Sequence, residues 1–181
     1  MSFAARFTPP RREELSDLLR KYDTLADLRQ RREDGGGVAP RGELLVLARA
    51  FPGALRELDT LPIAVVEERR QALRSAVNGE PPAPWMTWMI AYHATMRAAL
   101  FLKARLARTR AALADDVARE LADDASRRFD LPIDVAFVHA VARPPARRVN
   151  AAVFERLGRE LGVLPDAMWE ALFPSRRAGR F

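Results

Sequence analysis

Residues 84–96 read PWMTWMIAYHATM. This stretch contains two of the three tryptophans, three of the five methionines, one of the two tyrosines and one of the two histidines. No charged residue lies between Glu80 and Arg97. Large apolar side chains concentrated in this way indicate either the centre of a helical core or a surface for a partner.

The segments around this stretch are typical of helices. Ala, Leu, Arg and Glu dominate them, and alternating runs of Val, Ile and Thr are absent, a composition that favours helix over strand. Proline and glycine separate one helical segment from the next. The sequence therefore predicts an all-α protein, a compact bundle of about seven to nine helices around a long central helix at about residues 85–110.

The proline-rich segment at residues 81–84 is the clearest hinge in the chain, since Pro81, Pro82 and Pro84 interrupt any helix there. The predicted organisation is a flexible N-terminal arm at residues 1–10, a single helical domain at residues 11–174, and a flexible basic tail at residues 175–181.

Composition excludes several classes of site. The chain has no cysteine, which rules out disulfides, thiolate nucleophiles and cysteine-ligated metals. Its first residues lack the apolar run of a signal peptide, and its longest uncharged stretch is shorter than the roughly 20 apolar residues of a membrane span. We therefore expect a cytoplasmic protein without a membrane segment.

The apolar stripe on the central helix has three open interpretations: a core helix, a seam between copies of the chain, or a pocket for an apolar ligand. Ile90 and Phe101 point away from the main face of the stripe, which favours a homodimer formed through this helix. The candidate residues for an interaction surface are Trp85, Trp88, Met89, Ile90, Tyr92 and Phe101.

Two histidines occupy predicted helices, His93 and His139. Neither belongs to a Glu-x-x-His or His-x-x-x-His pattern, and no glycine-rich phosphate loop is present. His93 is a weak candidate for contact with a cofactor, and we expect no cofactor, no metal ion and no catalytic residue.

Nucleic acid is a possible partner because the end of the central helix is basic. The candidate contacts are Arg97, Lys103, Arg105 and Arg108, together with Arg147 and Arg148 further along the chain. The formal charge of the whole chain is +6.

Residues 154–173 resemble the core of a helix-turn-helix, with Leu157, Gly158, Leu161 and Gly162 at the packing and turn positions. The resemblance implies that the helix starting at Pro165 would read a duplex. That helix offers Asp166 and Glu170 and no side chain suited to a base edge, so nucleic acid is possible but not favoured.

These observations favour a non-enzymatic cytoplasmic helical binding or scaffold protein that self-associates as a dimer. The alternative is a basic nucleic-acid-associated regulator with a helix-turn-helix-like unit at residues 154–173.

Overall fold

The structure, a computed structural model, describes residues 2–108, 112–143 and 148–174, without the side chain of Arg148. Ten α-helices make up most of these residues. No β-strand occurs in these residues, and the all-α prediction is confirmed. The helices are α1 (Phe3–Phe7), α2 (Arg12–Glu33), α3 (Arg41–Ala50), α4 (Ala54–Thr60), α5 (Ile63–Val77), α6 (Pro84–Leu106), α7 (Asp115–Phe129), α8 (Val135–Ala142), α9 (Arg148–Leu161) and α10 (Pro165–Leu172).

The long helix of the sequence prediction is α6, which ends at Leu106 rather than near residue 110. Every residue from 89 to 96 is buried, so the middle of α6 is enclosed around its whole circumference. Met89 is fully buried and Tyr92 and Met96 are each 4% exposed. Residues 89–96 of the stretch that dominates the sequence are therefore core.

Contacts between Cα atoms divide the chain into two units. Within the described residues, the N-terminal unit comprises residues 10–90 together with residues 169–174, and the C-terminal unit comprises residues 2–9 together with those between 91 and 168. The division falls inside α6, beyond the proline-rich segment at residues 81–84, whose last residue begins this helix.

Within the predicted N-terminal arm at residues 1–10, residues 3–7 form α1. Phe3 and Phe7 lie one turn apart with their ring centroids at 5.0 Å, and both are buried. Two aromatic rings on one side of a helical turn bury enough apolar area to hold such a short helix in place. The predicted tail at residues 175–181 lies outside the described residues.

In the N-terminal unit, α2 packs along α5, α4 packs against α2, and α3 packs against α4. The inward face of α2 follows the helical period. Its buried apolar residues are Leu15, Leu18, Tyr22, Leu25 and Leu28.

In the C-terminal unit, α8 packs against α7 and α9, and α1 packs against α9. The turn between α7 and α8 is fixed by Arg6, whose Nε donates to the carbonyl oxygen of Asp130 at 3.0 Å, and by Arg156, which donates to the carbonyl of Pro132. The guanidinium of Arg156 lies 5.1 Å from the ring centroid of Phe3 and 4.8 Å from that of Phe137. Burial between these rings lowers the pKa of Arg156.

In the described part of the chain, none of the helices has the length and apolar character needed to cross a membrane.

We expect Met89→Ala to lower the free energy of unfolding by about 2–5 kcal/mol, because it opens a cavity in the enclosed part of α6. Leu100→Ala is the matched control on the same helix, since Leu100 is 47% exposed, and it should change stability by less than about 1 kcal/mol. Urea denaturation followed by circular dichroism measures both. Equal effects of the two substitutions would contradict the burial of this stretch.

Candidate interaction surface

Three charged side chains are buried in the N-terminal unit, and each comes from a different helix. They are Lys21 on α2, Glu57 on α4 and Arg69 on α5, none more than 6% exposed. The carboxylate of Glu57 forms an ion pair with the ammonium of Lys21. Its Oε1 accepts a hydrogen bond from the hydroxyl of Tyr22 at 2.7 Å and lies 3.3 Å from Nη1 of Arg69. The carboxylate therefore joins α2, α4 and α5.

Arg69 also fastens the end of α10. Its Nη1 donates to the carbonyl oxygen of Leu172 at 3.0 Å and its Nη2 donates to that of Ala171 at 2.7 Å. The last carbonyls of a helix lack donors within the helix and carry partial negative charge. A guanidinium supplies both the missing donors and a positive charge. The same group lies 4.9 Å from the ring centroid of Trp85, a cation–π distance.

Burial sets the electrostatics of this network. Desolvation lowers the pKa of Lys21, and the neighbouring Glu57 only partly offsets it. Desolvation, reinforced by the negative charge of Glu57, raises the pKa of Tyr22 well above its ordinary value. Two cations surround one carboxylate, so the network depends on Glu57 for its negative charge.

The network and its neighbours hold α4 in a defined position. Arg29 donates from Nε to the carbonyl oxygen of Leu58 at 3.0 Å and from Nη2 to that of Glu57 at 3.0 Å. Gly53 precedes α4 with φ of 88°, a left-handed conformation that glycine adopts without strain. These contacts fix the helix against which α3 packs.

Helix α3 presents an apolar face to solvent. It contains the run Leu44-Leu45-Val46-Leu47, of which only Leu47 is buried. Leu45 is 45% exposed and Val46 is 69% exposed. The flanking segments add Val38 before the helix and Leu55 after it, at 85% and 37% exposed. We call the adjacent exposed pair on this helix, Leu45 and Val46, the α3 face.

Charged residues of both signs border the α3 face. Arg41 and Glu43 are exposed at its sides, and Arg49 is exposed about one turn beyond Leu45 and Val46 on the same helix. Nη2 of Arg31 on α2 donates to Oε2 of Glu43 at 3.0 Å, which ties the beginning of α3 to α2. An exposed apolar centre with a charged rim is the composition of a protein–protein contact.

A cleft of about 610 Å³ lies elsewhere in the same unit, lined by α2, α4, α5 and Phe173. Its cationic side chains are Arg29, Arg32 and Arg56. Arg29 is bound to the carbonyls of α4, Arg32 forms an ion pair with Asp59 at 3.1 Å, and Arg56 lies 4.8 Å from the ring centroid of Trp169. Since these groups already have partners within the protein, the cleft is a weaker candidate for binding than the α3 face.

The residues predicted for an interaction surface on α6 are mostly covered. Met89, Ile90 and Tyr92 are at most 8% exposed, and Trp85 and Trp88 are partly buried. Phe101 is partly buried and packs edge-on against Phe129 with the ring centroids at 5.6 Å. A dimer through this stripe stays a prediction, but the stripe offers little exposed apolar area for it.

The two histidines lie apart from any metal-binding arrangement. His93 is 4% exposed, with its ring centroid 5.8 Å from that of Tyr92. Nε2 of His139 lies 2.9 Å from Oδ1 of the exposed Asp115. Across residues 2–108, 112–143 and 148–174, no group of three or more His, Cys, Asp or Glu side chains is arranged to hold a metal ion.

The basic residues predicted for nucleic acid have mixed surroundings. Arg97, Arg105 and Arg108 are exposed and Lys103 is partly exposed. Arg105 lies 3.5 Å from the carboxylate of Asp124 on α7, as expected for a basic helix end beside an acidic helix. Arg147 and the side chain of Arg148 lie outside the described residues.

The helix-turn-helix-like segment consists of α9 and α10 joined by a tight glycine turn. Gly162 has φ of 68°, and the amide of Val163 donates to the carbonyl of Gly158 at 3.2 Å. A Cβ at Gly158 would lie 2.8 Å from the carbonyl oxygen of Val163, so both glycines are required by the turn. Asp166 and Glu170 are exposed on α10, and carboxylates there repel a phosphate backbone.

No protein-family model, curated protein or solved structure matches this chain.

Neither the buried network nor the α3 face is among the sites predicted from the sequence. A signal for the network is present, because Lys21 follows Leu18 by three residues and precedes Leu25 by four, which places it on the apolar face of α2. Arg69 has the same spacing from Val66 and Leu73 on α5. A charged residue at a core position of a helix indicates a buried partner, although it does not identify that partner.

We expect Glu57→Gln to lower the free energy of unfolding by about 3–5 kcal/mol, because it leaves two buried cations without their carboxylate. Lys21→Met is the matched substitution. It keeps the side-chain volume and leaves Oε1 of Glu57 with Tyr22 and Arg69, but Oε2 loses its ion pair, so it should cost about 1–3 kcal/mol, less than Glu57→Gln. Denaturant unfolding of both variants measures the difference, and a strong destabilisation by Lys21→Met would show that the ammonium is required for stability.

Tyr22→Phe tests the raised pKa of the phenol. At neutral pH it removes hydrogen bonds to two charged groups and should cost about 1–3 kcal/mol. Above pH 10 the unfolded tyrosine loses its proton while the folded one keeps it, so the free energy of unfolding of the wild-type protein falls. The phenylalanine variant has no phenol at this position and does not show this fall. The opposing contribution of Lys21, whose lowered pKa adds stability as pH rises toward 10.5, is present in both proteins.

The measurement is the difference in unfolding free energy between wild type and Tyr22→Phe from pH 7 to about pH 11. We expect this difference to narrow above pH 10. A difference that stays constant over the range would mean that the phenol titrates alike in the folded and unfolded states.

Proposed function

We propose that this protein is a non-enzymatic binding or scaffold protein that contacts a protein partner through the α3 face. The observation that carries the proposal is the exposure of Leu45 and Val46 side by side on a helix that buries only Leu47. Single exposed apolar residues are ordinary on protein surfaces. Leu45 and Val46 are adjacent on a short helix, and exposed apolar residues that lie together on a surface are typical of protein contacts.

The way α3 is held supports this role. It packs against α4, which is fixed by the buried carboxylate of Glu57 and by Arg29, and its first turn is tied to α2 through Arg31 and Glu43. A surface that is ordered before binding loses little conformational entropy when a partner arrives. The apolar side chains therefore contribute more of their burial energy to association.

The alternative, a nucleic-acid-associated regulator, has less support. Its favourable feature is the exposed arginines at the end of α6, Arg97, Arg105 and Arg108. Arg105 is already close to a carboxylate, and α10 exposes Asp166 and Glu170 where a recognition helix needs donors. Any binding through the remaining arginines would be independent of sequence and strongly weakened by salt.

Substitution in the α3 face tests the proposal. Tagged full-length protein is cross-linked in the cells from which it comes, and the attached proteins are quantified by mass spectrometry. Val46→Glu should remove the attached proteins by placing a carboxylate in the apolar contact. Leu164→Glu is the matched control, because Leu164 is 77% exposed and lies in the C-terminal unit.

We expect wild type and Leu164→Glu to recover the same proteins and Val46→Glu to lose them. Circular dichroism and unfolding midpoints of the purified variants show whether the fold is retained. Recovery of the same proteins by a folded Val46→Glu variant would refute the role of the α3 face.

A further inference from the structure

The exposed side of α3 has an arrangement that is complementary to itself. By helical periodicity Gly42 and Arg49 lie along the middle of this side, with Leu45 and Val46 to the left and right of the middle line. The surface is open at Gly42, where an added Cβ would meet no atom within 4 Å. The helix therefore offers a shallow centre between two apolar side chains.

We infer that the partner of the α3 face is a second copy of this chain, bound with the two α3 helices antiparallel. The inference rests on the proposed function and names its partner. A two-fold axis between positions 45 and 46 brings Leu45 against the second copy's Leu45 and Val46 against the second copy's Val46. It also places Arg49 over the open surface at the second copy's Gly42.

The charges on α3 match this antiparallel arrangement. In the described part of the chain, no carboxylate lies within 4 Å of the exposed Arg49. Glu43 is six positions away in the same helix, a spacing at which two side chains do not meet. In the antiparallel pair, position 43 of one copy lies level with position 48 of the other, one position from Arg49. Each Arg49 then approaches the carboxylate of the second copy's Glu43, which also accepts from Arg31 of its own chain, and the two-fold axis forms this contact twice.

The size of α3 sets the strength of the association. A helix of 10 residues is about 15 Å long, so the contact lies at the small end of specific interfaces. We expect a dimer with a dissociation constant above about 1 μM. Antiparallel alignment of the helix dipoles and burial of four apolar side chains favour it.

Sedimentation equilibrium of the purified full-length protein measures self-association over about 5 μM to about 500 μM. We expect the average mass to rise with concentration from that of one chain, 20.3 kDa, toward twice that value. Val46→Glu should weaken the association by about 100-fold, because two carboxylates meet at the axis and two valines are exposed again. Leu164→Glu, which adds the same charge elsewhere, should leave it unchanged.

Mixing two charge variants tests the antiparallel geometry. Glu43→Arg and Arg49→Glu should each associate about tenfold more weakly alone, because both pairs across the axis then carry like charges. In an equimolar mixture, each pair between the two variants regains opposite charges, and the mixed dimer should form more strongly than the dimer of either variant alone. Because the contact between positions 43 and 49 joins two chains, neither variant can regain it through contacts within one chain.

Restoration in the mixture, with loss in Val46→Glu, supports the inference. A mass of one chain at every concentration overturns it, as does a dimer that Val46→Glu leaves intact or a mixture that stays as weak as its components. If the protein is monomeric while Val46→Glu still removes other proteins in the cross-linking experiment, the second copy is the wrong partner and the proposed function stands.

Discussion

The carboxylate of Glu57 is the group on which the N-terminal unit depends. An ionised carboxylate in the interior costs several kcal/mol unless cations and donors surround it. Lys21 and Tyr22 supply these groups from α2, and Arg69 supplies another from α5. Since all of them must remain within hydrogen-bonding distance, the carboxylate fixes the positions of α2, α4 and α5 relative to one another. Apolar packing alone tolerates small shifts of helices, whereas this network does not.

The balance of charge explains why the end of α10 belongs to the same unit. Lys21 and Arg69 together exceed the single negative charge of Glu57. The carbonyl oxygens of Ala171 and Leu172 accept from Arg69, and their partial negative charge offsets part of the excess. Desolvation still dominates at Lys21 and lowers its pKa. The network therefore favours specificity of arrangement over maximal stability, as buried ion pairs often do.

The sequence reveals the central helix but not the network, and the reason is physical. The apolar residues of α6 surround its axis, which indicates protein on more than one side, and the burial of residues 89–96 in the structure decides among core, seam and pocket. Lys21 lies at a core position of α2 by its spacing from Leu18 and Leu25. Its partner Glu57 is 36 positions away on α4, and helical periodicity carries no information about which helices meet. Contacts between distant segments depend on packing that a single sequence pattern does not encode.

The same limit explains why the expected surface for self-association lies on a different helix. On α6, Ile90 and Phe101 lie outside the main apolar face, which indicated more apolar surface than one chain covers. In the structure Ile90 is 8% exposed and Phe101 packs on Phe129. On α3 the run of four apolar residues at positions 44–47 spans the whole circumference, so periodicity cannot decide which of them face outward. Its only extensive packing partner in the described residues is the short α4, which covers one side. Exposed apolar area therefore arises where a helix has few neighbours, and the number of neighbours is a property of the fold rather than of the helix sequence.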